Sequence, residues 1–198
     1  MKIKICGLFR DCDIDYVNEA KPDFIGFVFA PSRRQVSAEW AEAMRPKLWP
    51  EITPVGVFVN ESLANVAKLL DDNIIAMAQL HGEENEQYIK ELKSLTNKPI
   101  IKAVRVVSHE DIEAAQATVA DFLLLDNGTG GTGESFDWSL VRKMKKPFFL
   151  AGGLKADNIE QAISATSPFA VDLSSGVETD GKKDRDKILE IVRRIQNG

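Results

Sequence analysis

The strongest constraint on this chain is a rhythm. A short apolar run bounded by turn residues, followed by a segment with apolar side chains at helical spacing, recurs roughly every 25 residues along the sequence. The strand-like runs fall at 2–6, 24–29, 55–59, 74–80, 99–106 and 120–126, and two more begin at Phe148 and Phe169. Between them lie helical patterns. A first helix is expected over 13–20, with Asp13 as its cap, and Ser37 precedes Trp40, Ala41, Met44 and Leu48. Further patterns run through Leu63, Val66, Ala67 and Leu70, then through Tyr88, Leu92 and Leu95. Ser108 caps a segment through Ile112 and Ala115, another helix is expected from about Asp137, and the last carries Ile188, Ile191, Val192 and Ile195 on one face.

Strands apolar on both faces that alternate with amphipathic helices argue for a parallel sheet, and eight such units close into a (β/α)8 TIM barrel. An open doubly wound sheet is the rival, but it gives no reason for glycine-rich turns at units seven and eight. The barrel does, because its phosphate site commonly lies there. A length of 198 residues makes it near-minimal, and the even composition predicts a single domain over 1–198.

Net charge narrows the partners. Lys and Arg number 25 against 30 Asp and Glu, so no sequence-wide basic face is available for nucleic acid. No run approaches the roughly 18 apolar residues of a membrane span, and the start is too poor in apolar residues for a signal peptide. A soluble cytoplasmic protein is expected, with a monomer favoured. Cys6 and Cys12 are too few for a disulfide framework, which leaves Cys6 free for chemistry.

In a barrel, the C-terminal strand ends share one mouth. Strands one and six end in Cys6 and Asp126, two titratable groups suited to proton transfer. The plainer alternatives are a small core residue for Cys6 and a loop cap for Asp126. Arg33 and Arg34 offer a clamp for an anion or a solvated basic pair. His81 reads as a rim residue or a catalyst, with no metal-ligand spacing around it, so no metal is expected. Lys102 reads as a Schiff-base nucleophile or a charge paired with a carboxylate, and Asp172, inside strand eight, as a paired acid near the site. Gly152, Gly153, Ser174, Ser175 and Gly176 end the last two strands in small residues whose amides can meet a phosphate. The glycine run at 128–133 is not a nucleotide fingerprint. It suits a lid over the mouth or a plain surface loop.

Several of these stretches, taken together and in order, are similar to one family. Lys4-Ile5-Cys6-Gly7, Gly26-Phe27-Val28-Phe29 with Ser32-Arg33-Arg34, Gln79-Leu80-His81-Gly82, Leu124-Leu125-Asp126, Gly152-Gly153-Leu154 and Val171-Asp172-Leu173-Ser174-Ser175-Gly176-Val177-Glu178 resemble N-(5′-phosphoribosyl)anthranilate isomerase of tryptophan biosynthesis. The resemblance implies a cofactor-free Amadori rearrangement of a phosphosugar that carries an anthranilate group. It implies Asp126 as the general acid that opens the furanose ring and Cys6 as the general base that removes the C2′ proton. Arg34 aligns with the arginine for the anthranilate carboxylate, His81 and Asp172 become candidate substrate contacts, and the five small residues become the phosphate loops. One departure is visible. Many members follow the Cys-Gly pair with an aliphatic residue and threonine, whereas this chain has Leu8-Phe9-Arg10-Asp11-Cys12. The rival readings are an aldolase-type lyase using Lys102, the sister isomerase of the histidine pathway, which is associated with an aspartate where Cys6 stands, and a non-catalytic phosphosugar-binding barrel.

Overall fold

The computed structural model describes residues 1–127 and 135–197. Eight parallel strands close on themselves in sequence order: β1 (Lys2–Cys6), β2 (Phe24–Val28), β3 (Thr53–Phe58), β4 (Met77–Leu80), β5 (Ile100–Arg105), β6 (Phe122–Asp126), β7 (Phe148–Leu150) and β8 (Ala170–Leu173). The (β/α)8 barrel expected from the rhythm is therefore the fold. Closure is made by β1 against β8, where Lys4 stands opposite Asp172 and Ile5 opposite Leu173. The fourth strand starts later than its apolar run: Ile74 and Ile75 are buried ahead of it, outside the strand.

The helices between the strands are α1 (Asp11–Ala20), α2 (Ala38–Met44), α3 (Leu63–Asp71), α4 (Glu86–Leu95), α5 (His109–Ala115), α6 (Ile159–Thr166) and α7 (Arg185–Asn197). Their starts are set by side-chain caps: Ser37, Ser62 and Asn85 accept from the amides of Trp40, Asn65 and Tyr88, and Ser108 forms a capping box with Asp111. Asp13 differs from expectation. It lies within the first turn of α1, where its carboxylate accepts from the amides of Phe9 and Arg10. Arg10 occupies the cap and donates onward to the Lys183 carbonyl at 2.6 Å. The unusual first loop is thus tied to the C-terminal part of the chain.

The helix expected from about Asp137 does not form. The chain makes a single 3-10 turn at Trp138–Leu140, capped by Asp137, after which Val141 is extended and Lys143 is left-handed. Arg142, Lys143, Lys145 and Lys146 crowd like charges into the segment with no acidic neighbour three or four residues away, so it lacks the pairs that would support a helix. The 128–133 glycine run falls outside the described residues. Among the described residues no helix is long and apolar enough to cross a membrane.

Side chains alternate along each strand, which splits the core in two. Outward residues such as Ile3, Ile5, Ile25 and Leu123 pack against helix faces carrying Ile14, Val17, Ile188 and Val192. Inward residues Phe24, Val55, Met77, Ile101, Leu124, Phe149 and Ala170 fill the lower barrel. Above them the lining turns polar.

Candidate active site

The alternation that puts Phe24 and Leu124 inside also puts Cys6, Asp126 and Asp172 inside, nearer the C-terminal ends of their strands. There they open on a cavity of about 300 Å³, within the range of small-molecule sites. Ten of the candidates picked out from the sequence line it, whereas Lys102 and Arg33 do not. Cys6 and Asp126 face it from β1 and β6, and Arg34, His81 and Asp172 join them. Gly152, Gly153, Ser174, Ser175 and Gly176 close the side beyond β7 and β8.

Two glycines make room for the two titratable groups. A Cβ at Gly26 would stand 2.6 Å from the Cys6 sulfur, so only glycine on β2 lets the thiol occupy its place. Gly152 has φ +84°, and a Cβ there would lie 2.8 Å from Asp126 Oδ1, the oxygen that accepts from the Asn127 amide at 2.7 Å. The other carboxylate oxygen, Oδ2, faces His81 Nε2 at 3.6 Å.

Beneath the mouth lies a polar layer in which Asp172, expected as a paired acid, meets Lys4 and Gln79, to which the sequence reading gave no role. Lys4 is wholly buried, and its Nζ donates to Asp172 Oδ2 at 2.8 Å and to Gln79 Oε1 at 2.9 Å. Strands β1 and β4 are not neighbours in the barrel, so the Lys4–Gln79 bond crosses its interior. Burial works against the Lys4 charge, but the Asp172 carboxylate and the adjacent Cys6 outweigh it and hold the ammonium protonated beyond its ordinary range. Burial pushes the Cys6 thiol up, a shift opposed by Lys4 and Lys183 and reinforced by Asp172. Lys4 and Lys183 are the two cations whose charge favours the thiolate.

Arg34 is held from behind. Glu178, buried at the start of β9 (Glu178–Thr179), accepts from Arg34 Nε at 2.7 Å and Nη2 at 2.9 Å, and from Arg33 Nη2 at 2.7 Å. Lys183, on the antiparallel partner β10 (Lys182–Lys183), completes the cluster against Glu178 and reaches the Ser174 carbonyl at 3.1 Å. Despite the burial of Glu178, the cations Arg34 and Lys183 hold its carboxyl down at about 2. Three cations face one carboxylate in this cluster, a local excess of positive charge in a chain of net charge -5. The alternatives of clamp and solvated pair divide between the two arginines: Arg34 lines the cavity and Arg33 is half exposed.

Lys102 does not line the cavity. Its Nζ donates to the Gly82 carbonyl at 2.6 Å and pairs with Glu84 at 3.1 Å, which makes it a rim charge bound to a carboxylate. Among the described residues no group of three or more His, Cys, Asp or Glu is arranged to hold a metal. Lys4 and Gln79 could have been found from the strand alternation, since each lies two residues before a site candidate, Cys6 and His81. Glu178 gave no such signal, because the arginines it holds are distant in sequence.

A closed parallel barrel whose mouth brings a thiol, a carboxylate, an anchored arginine and two glycine-rich turns onto one small cavity defines an acid–base enzyme acting on an anionic small molecule. Over residues 3–194 the chain matches the family model described as N-(5′phosphoribosyl)anthranilate (PRA) isomerase, and it belongs to that family. It is 48% identical over 200 residues to the N-(5′-phosphoribosyl)anthranilate isomerase of Endomicrobium trichonymphae, covering 99% of this chain and 98% of that one. The crystal structure of the phosphoribosylanthranilate isomerase of Thermotoga maritima superposes with a TM-score of 0.88 at 35% identity, covering both chains in full (100%). A phosphoribosylanthranilate isomerase solved in complex with reduced 1-(o-carboxyphenylamino)-1-deoxyribulose 5-phosphate gives a TM-score of 0.86 at 34% identity, again over 100% of both chains.

Proposed function

We propose that this isomerase converts N-(5′-phosphoribosyl)anthranilate to 1-(2-carboxyphenylamino)-1-deoxyribulose 5-phosphate, in the cytoplasm, by general acid–base catalysis with Asp126 and Cys6. The observation that carries the reading is the opening of these two groups, from β1 and β6, onto one cavity that Arg34 and the small residues after β7 and β8 also line. Asp126 gives a proton to the furanose ring oxygen as the C1′–O bond breaks, leaving an open-chain Schiff base. Cys6 takes the C2′ proton, and the electron pair of that bond forms the C1′=C2′ double bond of an enolamine. Transfer of a proton from the C2′ hydroxyl to C1′ then gives the ketone. Lys4 beside the sulfur offsets the burial that disfavours a thiolate.

The two acidic ends of the substrate set the sugar between acid and base. Arg34, with Nε and Nη2 committed to Glu178, has its Nη1 edge for the anthranilate carboxylate. The amides and hydroxyls at Gly152, Gly153, Ser174, Ser175 and Gly176 receive the phosphate, with His81 and Asp172 contacting the substrate between the two ends. The test is the loss of substrate fluorescence on mixing with purified protein. Wild type is expected to turn over, whereas Cys6→Ala and Asp126→Asn each drop kcat by at least the roughly 10²-fold expected of a lost acid or base. Full turnover in either variant would remove that residue from its role.

A further inference from the structure

Gln79 sits below the mouth, between a side chain that can only donate and one whose role depends on its tautomer. Lys4 Nζ has no acceptor, so the atom it meets at 2.9 Å must be the Gln79 carbonyl oxygen. This fixes the amide against rotation and turns its NH2 toward His81 Nδ1 at 2.9 Å. Nδ1 must then present a lone pair, which leaves the proton of a neutral imidazole on Nε2. Nε2 is the atom 3.6 Å from Asp126 Oδ2, while Asp126 Oδ1 is occupied by the Asn127 amide.

We infer that Gln79 is a positioning residue that locks His81 as the neutral Nε2–H tautomer aimed at Asp126. Resting on the isomerase reading above, this gives the pair a use: Nε2–H receives the Asp126 carboxylate once its proton has gone to the ring oxygen. The 3.6 Å separation is too long for a formed hydrogen bond and closes as that charge develops. The charged and titratable groups around the imidazole are Asp126 across from it, Lys4 behind Gln79, and Arg34, Asp172 and Cys6 elsewhere on the same cavity wall. Through Lys4, one amide thereby connects the thiol side of the site to the carboxylate side.

The experiment is nitrogen-15 NMR of the full chain labelled in histidine, at neutral pH and without substrate. His81→Asn assigns the signals, since His109 is the other histidine. Wild type is expected to show His81 with a protonated Nε2 and a bare Nδ1. In Gln79→Glu a carboxylate faces Nδ1, and the proton is expected to move there or a second one to be taken up. In Gln79→Met, which keeps the length and removes both hydrogen bonds, the fixed tautomer is expected to become a mixture. Both variants should lose on the order of tenfold in kcat with KM little changed, as when an imidazole loses its orienting partner. A wild-type His81 protonated on Nδ1, or a tautomer unmoved in whichever variants fold, overturns the inference. Because the spectra need no substrate, failed turnover in wild type would instead count against the isomerase reading alone.

Discussion

The two ends of the barrel are built from the same strands and differ in what they do with the interior. At the N-terminal end Phe24, Phe122, Phe149 and Phe169 pack edge-on or tilted, with centroids 5.3 Å apart for Phe24–Phe149 and 4.9 Å for Phe122–Phe169. Two residues further along, β2 and β6 carry Gly26 and Leu124, Ala151 stands just past the end of β7, and β6 reaches Asp126 two residues after Leu124. Bulk at the floor and small or polar residues at the mouth leave the cavity open at one end only. The polar layer of Lys4, Gln79 and Asp172 marks the boundary, and its hydrogen bonds are nearly complete. Asp172 Oδ1 is buried without a hydrogen-bond partner among the described residues, which costs about 1–3 kcal/mol in the absence of a donor. Packing is optimised where nothing enters, and an unmet acceptor is tolerated where substrate does.

That division predicts opposite phenotypes. Phe149→Ala at the floor should lose about 3–5 kcal/mol of stability in equilibrium denaturation, with kcat per folded molecule unchanged. Asp126→Asn at the mouth should raise the barrier by about 2.7 kcal/mol, the equivalent of roughly 10²-fold in kcat, with little change in thermal midpoint. A floor variant that lost turnover, or a mouth variant that lost stability to a similar degree, would break the distinction between the ends.

The floor and the outer shell were more legible in the sequence than the mouth. Apolar runs and helical spacing report burial directly, so the strands and most helices could be placed, and Ser37 and Ser108 could be recognised as caps. The failure at Asp137 came where length and an apolar pattern suggested a helix but clustered lysines denied it charge pairing. At the mouth, Cys6 and Asp126 could be found because strand ends converge in a barrel. Lys4 looked like the polar half of an alternating edge in Lys2-Ile3-Lys4-Ile5, yet its partners are Gln79 and Asp172 across the interior. Pairing between residues remote in sequence is the part that local pattern does not encode, and Glu178 with Arg34 is the same case.

Glu178 offers a smaller, two-sided test of the mouth. Replacing it with Gln keeps the shape but puts an NH2 against Arg34 and Lys183, so the arginine loses its anchor. KM should rise roughly tenfold, the equivalent of about 1.4 kcal/mol for one charge-assisted contact, with kcat retained. Stability should respond to acid as well. The folded carboxyl is held at about 2, below its ordinary 4.5, so its contribution is full above 4.5 and is lost as pH falls from there toward 2. The variant should therefore show a shallower decline of thermal midpoint across that window than wild type. An unchanged acid limb would mean that the cluster does not couple to folding.

The smallest expected effect is at the floor's outer edge. Lys2, on the same strand as Lys4, places its ammonium 4.9 Å from the Phe169 ring centre and 5.6 Å from that of Phe24. The residue is exposed, so its cation–π attraction competes with hydration and with the freedom of a long side chain. Lys2→Ala should cost about 0.5–1 kcal/mol in denaturant unfolding and leave KM and kcat unchanged. Lys2 and Lys4 thus carry the same charge two residues apart on β1, one over aromatic rings in water and one enclosed among polar groups. A loss in Lys2→Ala as large as that of a removed floor ring would mean that the ammonium seals the aromatic cluster from solvent rather than resting on it.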